Sequence, residues 1–172
     1  SLDFGENWEY LEQPVDSIPS TGQYHTIYWG DQYIQALSVT TEINNISYDL
    51  SISEDYIYAA NWAGGIRRYG PLNGIEKSWQ IIPLPMDSNS ELICGSIDNN
   101  FEINPNDPIN GGNHNHKGFS VLVLNDTIWA GTANGINKGV IESNCINWIK
   151  HSTSDFTLGN ISGNWVIGFH NQ

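Results

Sequence analysis

An internal repeat of about 70 residues is the feature that most limits what this chain can fold into. Residues 55–68 match residues 126–138: each copy runs from an acidic turn through a strand-like stretch to a glycine turn and a second strand-like stretch. A further strand-like stretch follows both copies, at Trp79 and Trp148, and another opens the chain at Trp8. Such a repeat indicates stacked copies of one small supersecondary unit.

The unit is built from β-strands, because apolar residues alternate or form short runs that Gly, Asn, Asp and Ser interrupt. No helix is predicted. The predicted strands cover residues 8–11, 33–39, 48–52, 56–61, 65–69, 79–84, 119–124, 127–132, 135–138, 146–151 and 165–170. Turn-forming residues at 53–55 and 125–126 predict two hairpins. The resulting fold class is all-β.

Four short antiparallel strands in each repeat predict the blade of a β-propeller. The chain of 172 residues is long enough for about two and a half such blades in one partial domain. The expected parts are a blade tail at 1–13, blades at 32–85 and 92–152, an insertion at 87–117, and the start of a further blade at 163–172. The chain is then either a fragment or must associate to cover its open edges. We expect the strand tryptophans to lie in the core between blades: Trp8, Trp79, Trp129, Trp148 and Trp165.

The charge balance excludes some partners. Six Lys and Arg residues stand against 19 Asp and Glu residues, which gives a formal net charge of -13. Binding to nucleic acid requires a clustered basic surface, so a nucleic-acid partner is not expected. No apolar run is long enough to span a membrane, so membrane insertion is not expected either.

The beginning of the chain and its two cysteines bear on location. The chain begins with Ser1 and shows no basic-then-apolar leader, which indicates a removed signal peptide or, as we favour, a piece of a longer protein. Cys94 and Cys145 match no zinc-binding spacing. They form either one disulfide in an oxidising compartment or two buried thiols.

A short motif at the start connects the repeat to a known superfamily. Ser1, Asp3, Gly5 and Trp8 fit the S-x-D-x-G-x-x-W pattern of the Asp-box, in which the carboxylate closes a tight turn and the indole packs under it. Residues 128–138, Ile-Trp-Ala-Gly-Thr-Ala-Asn-Gly-Ile-Asn-Lys, look like a blade strand of secreted bacterial propellers. The chain therefore resembles Asp-box (BNR-type) β-propellers, which include sialidases, sortilin-type receptors, xyloglucan-type endoglucanases and two-component-regulator sensors.

This resemblance implies a secreted, periplasmic or cell-surface bacterial repeat protein. A sialidase site would need three clustered arginines, and this chain has only Arg67 and Arg68, which adjacent strand positions send to opposite faces. No catalytic residue is assigned. The expected function is a binding or scaffold module that displays loops to a protein or glycan partner. The alternatives are part of a glycan hydrolase completed by other blades, and the sensor propeller of a signalling protein.

Four residues are candidate ligand contacts: Trp62, Arg67, His114 and His116. Trp62 lies in a turn, where an indole either stacks on a sugar or folds back onto the next blade. His114 and His116 would share a face of an extended loop, either as metal ligands completed by a third group or as ordinary polar loop residues. No cofactor is expected, although the oxygen-rich residues 98–110 make calcium a candidate; the identity of any metal is open.

Overall fold

A computed structural model describes residues 4–8, 10–13, 16, 24–38, 46–105, 112–153 and 161–170 of the chain. Within this part the fold is all-β and has no α-helix, as the sequence predicts. The strands are β1 (Tyr24–Trp29), β2 (Gln32–Leu37), β3 (Ser47–Ile52), β4 (Ile57–Asn61), β5 (Gly65–Gly70), β6 (Ser78–Ile82), β7 (Glu91–Leu92), β8 (Glu102–Ile103), β9 (Gly118–Leu124), β10 (Thr127–Thr132), β11 (Gly135–Glu142) and β12 (Cys145–His151). A short 3-10 turn covers His114–His116.

The strands form three sheets. Sheet I has the order β1-β2-β8, with β8 parallel to β2. Sheet II is the antiparallel meander β3-β4-β5-β6. Sheet III has the order β7-β12-β11-β10-β9, so β7 is added beyond a second four-stranded meander. Both predicted hairpins are confirmed, with Ile52 opposite Ile57 and Leu124 opposite Thr127.

Several expectations about strands differ from the structure. Strand β1 was not predicted, and β2 pairs with β1 and β8 instead of joining sheet II, which begins at Ser47. Residues 165–170 and the described part of 8–11 are not paired in a sheet, so the strands predicted there are wrong. The loop expected at 87–117 contains β7, β8 and the 3-10 turn. These short pairings depend on distant partners, which local periodicity does not reveal.

The core lies between the three sheets. Trp148 and Ile128 of sheet III, Tyr58 and Ile66 of sheet II, and Trp29 of sheet I belong to one buried cluster. No helix in the described part of the chain has the length and apolar character needed to cross a bilayer.

The expectation that five tryptophans form the core is confirmed only for Trp148. Trp148 is fully buried, and Trp79 and Trp129 are partly buried. Trp8 is 81% exposed and Trp165 is 64% exposed, because neither lies in a paired strand of a sheet. The repeat of tryptophans thus reflects equivalent sheet positions only for Trp79 and Trp148.

Candidate functional site

A cleft lies where the turn ends of sheets II and III meet. Its volume is about 620 Å³. The residues that line it are Ile52, Ser53, Glu54, Asp55, Tyr56, Tyr58, Val123, Asn125, Asp126, Ile141 and Ser143. Most of them come from the β3–β4 and β9–β10 hairpin turns, which the repeat places at equivalent ends of the two sheets.

Local hydrogen bonds stabilise the first turn, and a favourable backbone conformation stabilises the second. The Ser53 backbone N–H donates to the Tyr56 carbonyl at 2.9 Å, and the Tyr56 N–H donates to Ser53 Oγ at 3.0 Å. In the second hairpin, Asn125 has φ 54, in the left-handed region that Asn tolerates better than most residues. The two turns therefore hold Tyr56 and Asp126 in defined positions at the mouth of the cleft.

An aromatic and cationic stack forms the wall beneath the first turn. The Arg68 guanidinium lies 4.6 Å from the centre of the Tyr56 ring and 4.9 Å from that of Trp29. Arg68 Nε also donates to Gln80 Oε1 at 2.8 Å. Burial raises the pKa of Tyr58, although the nearby Arg68 charge opposes this. The phenol of Tyr58 therefore stays protonated at neutral pH.

The turns contribute several polar and charged groups to the lining of the cleft. Glu54, Asp55 and Asp126 are exposed carboxylates that accept hydrogen bonds, and Tyr56 offers part of an aromatic face. Carboxylates can accept hydrogen bonds from sugar hydroxyls, and aromatic rings can pack against the C–H faces of a sugar. No cluster of three or more His, Cys, Asp or Glu side chains suited to a metal ion occurs in the described part of the chain.

Trp62 packs inward. Its ring centre lies 5.4 Å from that of Phe119 at the start of sheet III, and Lys117 Nζ lies 5.7 Å from the Trp62 ring. Trp62 is partly buried. The turn of sheet II thus folds back onto the next sheet, which is the second of the two readings that the sequence left open for this residue.

Arg67 is only 4% exposed and is engaged by the N-terminal region. Its Nη2 donates to both carboxylate oxygens of Asp16, at 2.9 and 3.0 Å, and its Nε contacts the Gly64 carbonyl at 3.4 Å. This buried ion pair holds Asp16 against the face of sheet II. Arg67 and Arg68 do lie on opposite faces, because Arg67 reaches Asp16 whereas Arg68 stacks on Tyr56 and Trp29.

His114 and His116 do not share a face, so that expectation is wrong. The 3-10 turn sends the side chain of His114 outward, where 49% of it is exposed, and buries His116. His114 Nδ1 lies 3.2 Å from Asp87 Oδ2. Both ring nitrogens of His116 already contact backbone groups, so they are not available to a metal ion.

Asp87 and Asn115 form the centre of a polar cluster that attaches the insertion to the sheets. Asp87 accepts hydrogen bonds from the backbone N–H groups of His114 and Asn115, at 2.9 and 2.7 Å. Burial alone would raise the pKa of Asp87, but these bonds and those from the Asn134 and His114 side chains outweigh it, so the pKa is lowered. The Asn115 amide exchanges two 2.8 Å hydrogen bonds with the Asn137 amide of sheet III.

Lys150 completes the attachment from the other side. Its Nζ donates to the Met86 carbonyl at 3.0 Å and to the Asp87 carbonyl at 2.7 Å. Burial lowers the pKa of Lys150, and the Asp87 charge offsets part of that effect. From the sequence alone, only the density of Asn and Asp around the insertion pointed to this cluster.

Cys94 and Cys145 form a disulfide with a Cα–Cα distance of 6.2 Å. It joins the insertion to β12 and decides between the two alternatives that the sequence left open. In the segment that fits the Asp-box sequence pattern, Gly5 has φ 92 and Trp8 Nε1 donates to the Gly5 carbonyl at 3.1 Å, whereas Ser1 and Asp3 lie outside the described residues. In the candidate calcium loop, Asp98 Oδ1 accepts the Asn100 N–H at 2.8 Å, and residues 106–110 lie outside the description.

No family model matches the sequence, and neither a curated protein nor a solved structure matches it. The case for any function therefore depends on the sheets and the cleft themselves.

Proposed function

We propose that the chain is a β-propeller segment that acts as an extracellular binding module, with the cleft between its two hairpin turns as the ligand site. The support for the propeller comes first from the register of sheets II and III. The equivalent cross-strand rows are Ile52, Ile57, Tyr69 and Trp79 in sheet II and Val123, Ile128, Gly139 and Trp148 in sheet III. One repeated unit thus accounts for both sheets, as blades of a propeller require.

The packing between the two sheets also fits blades around an axis. The first strands, β3 and β9, lie side by side, and the N–H groups of Val121 and Val123 donate to Asp49 Oδ2 at 3.0 Å and Ser51 Oγ at 2.9 Å. Side chains on the first strand of sheet II therefore bond the backbone of the first strand of sheet III. The same relation repeated around an axis would generate a ring.

Residues 164–166 lie against sheet III and form hydrogen bonds with its backbone. The Gly135 N–H donates to the Asn164 carbonyl at 2.7 Å, and the Val166 N–H donates to the Thr132 carbonyl at 3.1 Å. Tyr48, Phe119 and Trp165 form a row of rings, with centres 5.6 and 5.5 Å apart. The row favours a third unit that begins near Trp165.

An exposed apolar stripe on β3 is explained by the same architecture. Tyr48, Leu50 and Ile52 are 55, 59 and 70% exposed. Their equivalents in β9, 71 positions later, are Phe119, Val121 and Val123, and all three are buried. A preceding blade would cover the β3 stripe as sheet II covers that of β9.

The proposed ligand is a glycan held by the carboxylates and the Tyr56 ring of the cleft. One observation supports this assignment: three exposed carboxylates and two tyrosines line the same cleft between the two repeats, which has a volume of about 620 Å³. The disulfide suits a protein of an oxidising compartment, where such a module would meet extracellular glycans.

A glycan array with the purified chain tests this proposal. Asp126→Asn removes the charge behind one expected hydrogen bond, and Tyr56→Ala removes the expected ring contact. We expect binding about tenfold weaker in each, because a hydrogen bond to a charged group contributes roughly 1.5–3 kcal/mol and the burial of a large apolar side chain a similar amount. Tyr33→Ala is the matched control, because Tyr33 is exposed on sheet I outside the cleft. No glycan binding, or equal binding by all three variants, would contradict the proposal.

A glycan hydrolase that uses the same cleft is the second candidate. It is favoured by the presence of several carboxylates on two facing turns, since glycoside hydrolysis commonly uses a pair of them. Product release from a bound glycan, lost in Asp126→Asn or in Glu54→Gln, would support the hydrolase. Binding without turnover would support the binding module.

A further inference from the structure

His116 lies at a junction of three chain segments. Its Nε2 contacts the Leu84 carbonyl at the end of sheet II at 2.9 Å, and its Nδ1 contacts the backbone N–H of Asn104 in the insertion at 3.1 Å. His116 itself directly precedes β9 of sheet III, and its ring packs edge-on against Phe101 at 6.0 Å. One imidazole therefore joins both large sheets and the insertion.

The two partners define the protonation state of the ring. A backbone N–H is only a donor, so Nδ1 must accept, and a carbonyl is only an acceptor, so Nε2 must carry the proton. The imidazole is thus neutral and doubly bonded to backbone, with only 2% of the residue exposed. Adding a proton to Nδ1 would place two N–H groups against each other.

We propose that His116 is an acid-sensitive latch, and that its protonation releases the insertion segment around β8 and Asn104 from sheets I and III. The released part is limited by the disulfide at Cys94, which keeps the start of the insertion on β12. Strand β8 has only two residues and contacts sheet I through a two-residue pairing with β2. The Asn104 Nδ2 bond to the Tyr24 hydroxyl at 3.0 Å and the burial of Phe101 and Ile103 also hold the segment, so its release has to break these contacts as well.

The groups that face His116 set the pH at which the latch would open. Burial lowers its pKa to about 4, against the opposing effects of the Leu84 carbonyl and the Asp87 and Glu102 charges, while the Lys150 charge lowers it further. The ordinary value is 6.5. Because the folded value lies below the released value, the latch is fully closed above pH 6.5 and loses stability as the pH falls toward 4.

Hydrogen exchange of the full disulfide-bonded chain tests the latch. With intrinsic rates corrected for pH, we expect the opening of residues 101–105 to increase about 60-fold between pH 7 and pH 4.5. His116→Gln cannot titrate but keeps an acceptor and a donor, so its opening should be nearly independent of pH. His170→Gln is the control, because His170 lies outside the three sheets and the insertion, and it should behave like the parent chain.

Two results would overturn the latch. One is an unchanged exchange of residues 101–105 in the parent chain across this range, and the other is an equal pH response in His116→Gln. If His116→Gln does not fold, an NMR titration of the parent chain tests the proposal instead. Titration of the His116 ring near pH 6.5 without local opening of residues 101–105 would refute the latch. The latch is independent of the glycan site, so a failed glycan array leaves it standing.

Discussion

Gly139 of β11 and Trp148 of β12 stand opposite each other in sheet III, and the indole occupies the space that a side chain on Gly139 would take. A Cβ at Gly139 would lie 2.8 Å from Trp148 Cε3 and 2.5 Å from Ile146 Cγ2. In sheet II the equivalent pair is Tyr69 and Trp79, whose rings pack side by side at 5.4 Å. This difference helps explain why Trp148 is fully buried and Trp79 is not.

Gly139→Ala should destabilise the chain by about 1–3 kcal/mol, the usual cost of overpacking a core. The free energy of unfolding from a denaturant titration is the measurement. Gly168→Ala is the control, because a Cβ there would meet no atom within 4 Å. Equal stability of the two variants would show that Trp148 can shift away from β11.

Trp148→Ala should lower the free energy of unfolding by about 3–5 kcal/mol, because it removes a fully buried large side chain. Trp79→Ala should cost clearly less, since Trp79 is only partly buried, although it also loses the 2.9 Å hydrogen bond from Nε1 to the Glu12 carbonyl. A loss under about 1 kcal/mol for Trp148→Ala would mean that this side chain is not part of the core.

The disulfide should contribute strongly to stability. Cys94 and Cys145 are 51 positions apart, and closing a loop of that length stabilises by about 4 kcal/mol on the chain-entropy model. The double variant Cys94→Ser/Cys145→Ser, compared with the disulfide-bonded parent chain, should show a loss of roughly 2–4 kcal/mol in a denaturant titration. A transition that does not move on reduction would contradict this expectation.

Asp87→Asn should destabilise the attachment of the insertion by about 1.5–3 kcal/mol at pH 7, because an amide cannot accept all the hydrogen bonds that the carboxylate accepts. The folded pKa of Asp87 is below the ordinary 3.8, so its contribution is present above that pH and is lost as the pH falls through the lowered value. The difference between variant and parent should therefore shrink in strong acid. Asp98→Asn, at a single local hydrogen bond, is the control in unfolding experiments at pH 7 and pH 3.

Much of the fold could be predicted from local pattern. The alternation of apolar residues and the turn residues at 53–55 and 125–126 located most strands of sheets II and III, because a hairpin depends on residues that are close in sequence. Strand β8 could not be predicted in this way. It pairs in parallel with β2, whose residues lie 67 positions earlier, and only the tertiary fold brings them together.

The candidate site, like the fold, could be predicted only in part from the sequence. The sequence singled out Trp62, His114 and His116 as residue types that often bind ligands, but it carries no information on which way each one points. The structure buries His116, turns Trp62 onto Phe119, and brings together Tyr56 and Asp126, 70 positions apart, at one cleft. From the sequence, only the match between the two hairpin turns on which these residues lie was visible.

The sequence by itself determined that the chain is all-β and that one unit recurs, because strand periodicity and turn chemistry are properties of neighbouring residues. Only the tertiary structure decided which repeated tryptophan is buried, which cysteines meet, and which polar residues hold the insertion. Those outcomes depend on packing between sheets, where the space left by a residue such as Gly139 is set by side chains from other strands.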